Sequence, residues 1–352
     1  MKTQSFIPLI LSGVIGIACN QSTEESNAAD EVEIQESDYD KDESDYDKDE
    51  SDYDKDESEQ EDDAGYEKDE DGESSEVCDN PAHEGYRTIV SDDATREYVL
   101  HVPASYDGTT PIPLMINFHG FGGCASQYAD NVGDFYGLNA LADSENFIVA
   151  YPQGVTRAKG AAEWDPGDSG TQDINENDLY FVEQLISGIG EELSIDSNRI
   201  YATGYSNGGM MVYGLACNGN PLIAAGGIMS GIMLGGECNP DVFTSLIHFH
   251  GIGDDALPYD GNQDFQPVLD VVDFWLSHNS IPSGNLETTS LNDGNVVRDL
   301  YTGGSGDSAF ALYTVYTEHN KDGGHVWFSE DIDGSSPNQI LWDFLSAYRL
   351  AD

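Results

Sequence analysis

A serine with glycine two residues to either side, Gly204-Tyr-Ser206-Asn-Gly208, follows a β-prone run and precedes the apolar stretch Met210-Met-Val-Tyr213. A serine hydroxyl is a poor nucleophile until a base takes its proton. A sharp strand-to-helix reversal is one way to hold that hydroxyl clear of the backbone. Such an elbow strains the serine and leaves no room for side chains beside it, which explains the paired glycines. The backbone N–H of Asn207 then faces the same space. In this setting the pattern reads as a nucleophile elbow rather than a plain glycine-rich turn.

The hydroxyl needs an imidazole within reach, and the imidazole needs an acid to orient it. Where a serine stands on such an elbow, these partners come later in the chain, acid before histidine. Leu246-Ile-His-Phe-His250-Gly-Ile-Gly-Asp254-Asp255 offers the acid just past a strand end. Asp254 is expected to serve, with Asp255 as rival. For the base there are 8 histidines. His83 and His101 precede the elbow. His119 and His250 close strands before glycine, where an imidazole commonly anchors a loop. His248 and His278 read as packing or surface positions. His319 ends a strand before Lys321-Asp322, whereas His325 follows Gly323-Gly324 in a loop able to reach over the serine. His325 is the expected base. A developing alkoxide also needs two aimed N–H groups. Asn207 supplies one. His119-Gly-Phe121-Gly-Gly123 supplies the other, with the Phe121 N–H the expected donor and Gly122 next. This chemistry asks for no cofactor and no metal.

These groups must be carried by strands that end at one edge. Residues 86–90 and 96–102 read as a hairpin, and 113–118 and 147–151 as buried strands. Residues 137–146 read as a helix and 153–177 as a long polar loop holding Trp164. Apolar residues at 179, 182, 185, 186 and 189 predict a helix over 178–193, capped by Asn177 or Asp178. Residues 200–203 lead into the elbow and 207–217 form the helix behind it. Strands are expected at 223–229, 246–250, 295–301 and 310–318, with helices at 267–279 and 337–350. That alternation predicts an α/β fold with a mostly parallel, doubly wound sheet, whose reactive groups lie beyond the carboxyl ends of its strands.

The 352 residues are not of one kind. Residues 1–19 join Lys2 to an apolar run too short for the bilayer core and end at Cys19, which predicts a signal peptide. Ala18-Cys19 also fits a lipoprotein signal, so membrane attachment through a lipidated Cys19 is expected alongside simple secretion. Residues 20–77 read as a disordered acidic linker. Ser-Asp-Tyr-Asp-Lys-Asp-Glu repeats unchanged at 37–43, 44–50 and 51–57, with no apolar heptad positions and no glycine for a calcium loop. Self-repulsion makes this an extended tether spanning ~40 Å or more; a calcium-dependent adhesion tether is the other reading. Residues 78–352 form the catalytic domain. The whole chain carries a net charge of −54, which argues against nucleic acid or anionic membrane as partner. Cys78, Cys124, Cys217 and Cys238 in an exported chain predict two disulfides, with three possible connectivities.

Five ordered motifs carry a family resemblance: Phe118-His-Gly-Phe-Gly-Gly123, Tyr151-Pro-Gln-Gly154, Asn198 through Met211, His250-Gly-Ile-Gly-Asp254 through Gly261, and Gly323-Gly-His-Val-Trp327. Over residues 83–349 the chain resembles the α/β-hydrolase esterase family of polyhydroxybutyrate-depolymerase-like proteins, feruloyl esterases and acetylxylan esterases. The resemblance implies Ser206 as nucleophile, Asp254 as acid, His325 as base, and pairing of Cys217 with Cys238 and of Cys78 with Cys124. The chain departs from the family where Asp322 precedes Gly323, where Phe328 follows Trp327, and in the absence of a cysteine pair from 165–177. Trp164, Tyr259, Trp327 and Phe121 are the aromatics expected to line the cleft. The expected function is a secreted or surface-tethered serine carboxylic-ester hydrolase acting on feruloyl or acetyl esters of polysaccharides. A polyhydroxyalkanoate or aromatic polyester depolymerase, or a serine peptidase of the same fold, would carry the same three groups. The expected partner is the ester substrate alone, and the chain is expected to act as a monomer.

Overall fold

The computed structural model describes residues 78, 83–91, 94–130, 136–156, 162–165, 178–217, 221–234, 238, 242–316 and 324–350. The chain divides into Met1–Tyr66 and Glu67–Asp352, and everything described lies in the second unit. The expected signal segment with Cys19, the acidic repeats, Asn177 and His319 fall outside the described residues.

In chain order the elements are β1 (Tyr86–Ser91), β2 (Ala94–His101), β3 (Ile112–Phe118), α1 (Ala125–Ala129), α2 (Asn139–Glu145), β4 (Ile148–Pro152), β5 (Val155–Thr156), β6 (Ala162–Glu163), α3 (Asp178–Glu192), β7 (Ile195–Tyr205), α4 (Asn207–Cys217), β8 (Ala225–Met229), β9 (Ser245–Gly251), α5 (Val268–His278), β10 (Leu286–Leu291), β11 (Val296–Tyr301), β12 (Phe310–Val315) and α6 (Pro337–Leu345). One sheet takes the order β1-β2-β4-β3-β7-β8-β9-β12-β11-β10. From β4 to β12 every neighbouring pair is parallel. Antiparallel strands flank this centre, β1 and β2 on one side and β11 and β10 on the other.

Burial explains the pattern. Every residue of β3, β4, β8, β9 and β12 is buried, as strands covered on both faces must be. Side chains alternate between two cores. Leu246 joins one with the inner faces of α3, α4 and α5, while Ile247 and Phe249 join the other with α1, α2 and α6. At the start of α6 the Ser336 hydroxyl accepts the Gln339 N–H and Pro337 occupies the first turn, where its missing N–H costs nothing.

The structure differs from the sequence reading at the edges. The supposed loop after β4 contains the small β5–β6 pair. β10 was not anticipated, since Leu286-Glu-Thr-Thr-Ser-Leu291 is a mostly exposed edge strand with no buried face to mark it. β7 begins at Ile195 because Ile195 pairs with Ile112 across an irregularity in the ladder. α6 stops at Leu345, short of residue 350. Disulfides join Cys78 to Cys124 and Cys217 to Cys238, the pairing the resemblance implies. Among the described residues no helix is long and apolar enough to cross a membrane, and no group of three or more His, Cys, Asp or Glu could hold a metal ion.

Candidate active site

β7 ends at Tyr205 and α4 begins at Asn207, so Ser206 is the whole connection. Its φ of 54° lies in the left-handed region that costs a non-glycine residue energy. The Ser206 N–H donates to Met229 O at 2.9 Å, and Ser206 O receives Met210 N–H at 3.0 Å, the first bond of α4. The flanking glycines are required by contact. A Cβ on Gly204 would strike the Gly208 backbone, and one on Gly208 would strike the carbonyls of Phe118 and His119. The elbow is thus wedged against the end of β3.

Ser206 Oγ lies 2.9 Å from His325 Nε2, and His325 Nδ1 lies 2.8 Å from Asp254 Oδ2. A carboxylate only accepts, so Nδ1 carries the proton and Nε2 presents its lone pair to the serine hydroxyl. Asp254 is buried, and its Oδ1 accepts the Ala256 N–H at 2.9 Å and the Leu257 N–H at 2.7 Å. The rival Asp255 is exposed. His83 and His101 pair with Asp130 and Asp143, and His278 faces Val242 O.

The loop carrying His325 is held by two residues the sequence reading passed over. The Tyr205 hydroxyl donates to His325 O at 2.7 Å. Ser230, buried just past β8, places Oγ 2.8 Å from Val326 O and 3.3 Å from Gly324 O. Only the glycine after Ser230, echoing those around Ser206, hinted that the next strand end is equally crowded.

On the other side, His119 anchors the loop after β3. Its Nδ1–H donates to Gly120 O at 2.6 Å and its Nε2 accepts the Gly154 N–H at 2.9 Å. Full burial lowers the His119 pKa to about 4, so the ring is neutral, as this pairing requires. The Gly122 N–H is bonded to Ala162 O at 2.7 Å, which removes it as an oxyanion donor. As first residue of α4, Asn207 keeps its N–H outside the intrahelical ladder. Its side chain grips the backbone of residue 164, accepting Trp164 N–H at 2.7 Å and donating to Trp164 O at 3.2 Å.

The aromatic expectations need correction. Trp164 is 3% exposed and Trp327 1% exposed, so neither lines an open cleft. Trp164 packs on Phe118 and His119 and donates its indole N–H to His119 O, and Trp327 donates to Asn338 Oδ1. An indole whose single donor is satisfied inside gains more from burial than from lining water. Tyr259 is half-buried, with its hydroxyl 3.1 Å from Thr314 Oγ1. Of the four, Phe121 alone stands open, at 49% exposure.

A serine elbow, an imidazole and a buried acid beyond the carboxyl ends of neighbouring parallel strands define an α/β-hydrolase. A family model described as Esterase PHB depolymerase matches residues 97–249. Feruloyl esterase C of Emericella nidulans is 27% identical over 254 residues, covering 72% of this chain and 84% of that protein. A bifunctional acetylxylan esterase/xylanase of Neocallimastix patriciarum is 31% identical over 254 residues, covering 71% of this chain and 33% of that protein. The solved acetyl xylan esterase of Aspergillus awamori shares the fold, with a TM-score of 0.52 at 14% identity over 74% of this chain and 98% of that one. The chain is thus similar in sequence to esterases of that family model and to feruloyl and acetylxylan esterases, and its fold is that of the α/β-hydrolase esterases.

Proposed function

We propose that the protein is a secreted or surface-tethered serine carboxylic-ester hydrolase that works through an acyl-enzyme on feruloyl or acetyl esters of polysaccharides. The observation that carries this reading is the continuous contact from Ser206 Oγ to His325 Nε2 and from His325 Nδ1 to Asp254 Oδ2. In the proposed reaction His325 takes the Ser206 proton as Oγ attacks the ester carbonyl. The N–H groups of Asn207 and Phe121 receive the oxyanion, and Asp254 stabilises the imidazolium. Collapse expels the alcohol with the proton from His325, and water then releases the acid by the same route. Losing one oxyanion donor from such a site typically costs about 3 kcal/mol of barrier.

The substrate class draws support from the feruloyl and acetylxylan esterase relatives, which match over most of the catalytic part. The exposed Phe121 ring follows Gly120, whose added Cβ would sit 3.5 Å from Ser206 Cβ, and suits a flat acyl group; the strongly acidic chain disfavours anionic substrates. Two disulfides favour an oxidising compartment, in keeping with export and with attachment through Cys19. A polyester depolymerase is the second reading, favoured by the description of the matching family model. Replacing Ser206→Ala and assaying p-nitrophenyl acetate, methyl ferulate and acetylated xylan tests the reading. Turnover retained on all three would refute it. A wild-type preference for peptide amides would make it a peptidase, and release of hydroxy acids from polyester alone would favour the depolymerase.

A further inference from the structure

Behind Asp254 lies a row of buried side chains that this ester chemistry leaves unused. Tyr213 of α4 places its hydroxyl 3.0 Å from His248 Nδ1. His248 Nε2 is 3.0 Å from His250 Nδ1. His250 Nε2 is 2.8 Å from Leu257 O and 3.4 Å from Asp254 Oδ2. Both imidazoles are wholly enclosed on one face of β9.

The positions of the protons follow from one end. A carbonyl only accepts, so His250 Nε2 carries the proton and Nδ1 a lone pair. That lone pair demands N–H at His248 Nε2, which leaves His248 Nδ1 to accept the Tyr213 hydroxyl. Burial lowers the pKa of both rings, and for His248 the neighbouring His250 adds to the effect, so neither carries charge at neutral pH. Every donor in the row points toward the acid loop, the last of them to Leu257 O. Asp254 Oδ1 is held by two N–H groups of its own loop, one of them from Leu257, while Oδ2 faces His325 at 2.8 Å with His250 Nε2 3.4 Å away.

We infer that His250 is a positioning residue for ester hydrolysis. Its Nε2–H, locked in that tautomer by Leu257 O in front and the Tyr213–His248 pair behind, ties the acid loop at Leu257, whose own N–H holds Asp254 Oδ1, and so keeps Oδ2 facing His325. The inference rests on the reading of Ser206, His325 and Asp254 as the reacting set. A glutamine at 250 can set its amide N–H where Nε2 stands, whereas an asparagine reaches only the Nδ1 position.

The test compares His250→Gln with His250→Asn in the full chain, with rates normalised to folded protein. Asparagine is expected to lower kcat roughly ten-fold, with KM unchanged, and glutamine to restore most of it. A folded asparagine variant with wild-type kcat would overturn the inference. Should the variants not fold, ¹⁵N-histidine NMR of the wild type decides. Both His248 and His250 are expected as neutral Nε2–H tautomers, and an Nδ1–H form at either would overturn it. Turnover surviving in Ser206→Ala defeats the underlying reading; a dead Ser206→Ala beside a fully active His250→Asn defeats only this one.

Discussion

The contact between the acid loop and the base loop offers a perturbation that touches neither reacting group. A Cβ on Gly251 would lie 2.7 Å from both Cα and O of Gly324, where ordinary contact begins at 3.4 Å. Both opposing atoms are backbone, so no flexible side chain can yield. Gly324 cannot turn aside, since its φ of +106° suits glycine and a Cβ there would meet Asp254 N at 2.8 Å. Gly251→Ala must therefore drive the two loops apart by about 0.7 Å, the shortfall between contact and available space. Either the 2.8 Å bond from His325 to Asp254 or the 2.9 Å bond to Ser206 then stretches to the edge of hydrogen bonding. Misplacement of 1 Å can cost about 100-fold, so 0.7 Å should cost roughly 25-fold in kcat. Overpacking should also remove about 1–3 kcal/mol of stability. Initial rates on p-nitrophenyl acetate, normalised to the folded fraction, read the first effect, and urea unfolding reads the second. A Gly251→Ala enzyme with wild-type kcat and midpoint would show that the two loops are not rigidly coupled.

Two further outcomes follow from buried polar groups. His119 titrates near 4 in the folded chain against 6.5 for an ordinary histidine, and burial pushes His248 and His250 the same way. Below pH 6.5 the unfolded chain binds protons that the folded chain refuses, so stability is full above that value and falls toward pH 4, with about 3 kcal/mol at stake for His119 alone. The urea midpoint should therefore be lower near pH 5 than at neutrality, and a flat or rising midpoint would contradict it. Arg96 is the second case: its guanidinium is buried 2.7 Å from Asp178 Oδ1 and 3.9 Å from the Phe181 ring centre. Asp178→Ala strands that charge and should cost about 3–5 kcal/mol in thermal or urea unfolding, whereas a loss under about 1 kcal/mol would mean the charge finds water.

Much of the architecture was legible locally. The apolar runs at 113–118 and 147–151 became β3 and β4, and helical spacing after residue 178 became α3. The edge strand β10 was not legible, since it is exposed on most of its length and carries no alternation to read. At the site, Ser206, Asp254 and His325 could be nominated because a glycine-flanked elbow and chain order are local properties. The structure brings those three side chains into contact.

What the sequence determined alone is the set of short-range consequences: which runs bury both faces, where the chain must reverse at glycine, and in what order acid and histidine follow serine. Whether a tryptophan faces water or core was decided elsewhere, for Trp164 by His119 O and the Asn207 amide, and for Trp327 by Asn338. The same holds for Ser230 under the His325 loop and for the Tyr213–His248–His250 row behind Asp254. Those partners stand from two to 96 residues apart. Their meeting depends on the order of strands across the sheet, and no local period encodes a neighbour that only the closed sheet supplies.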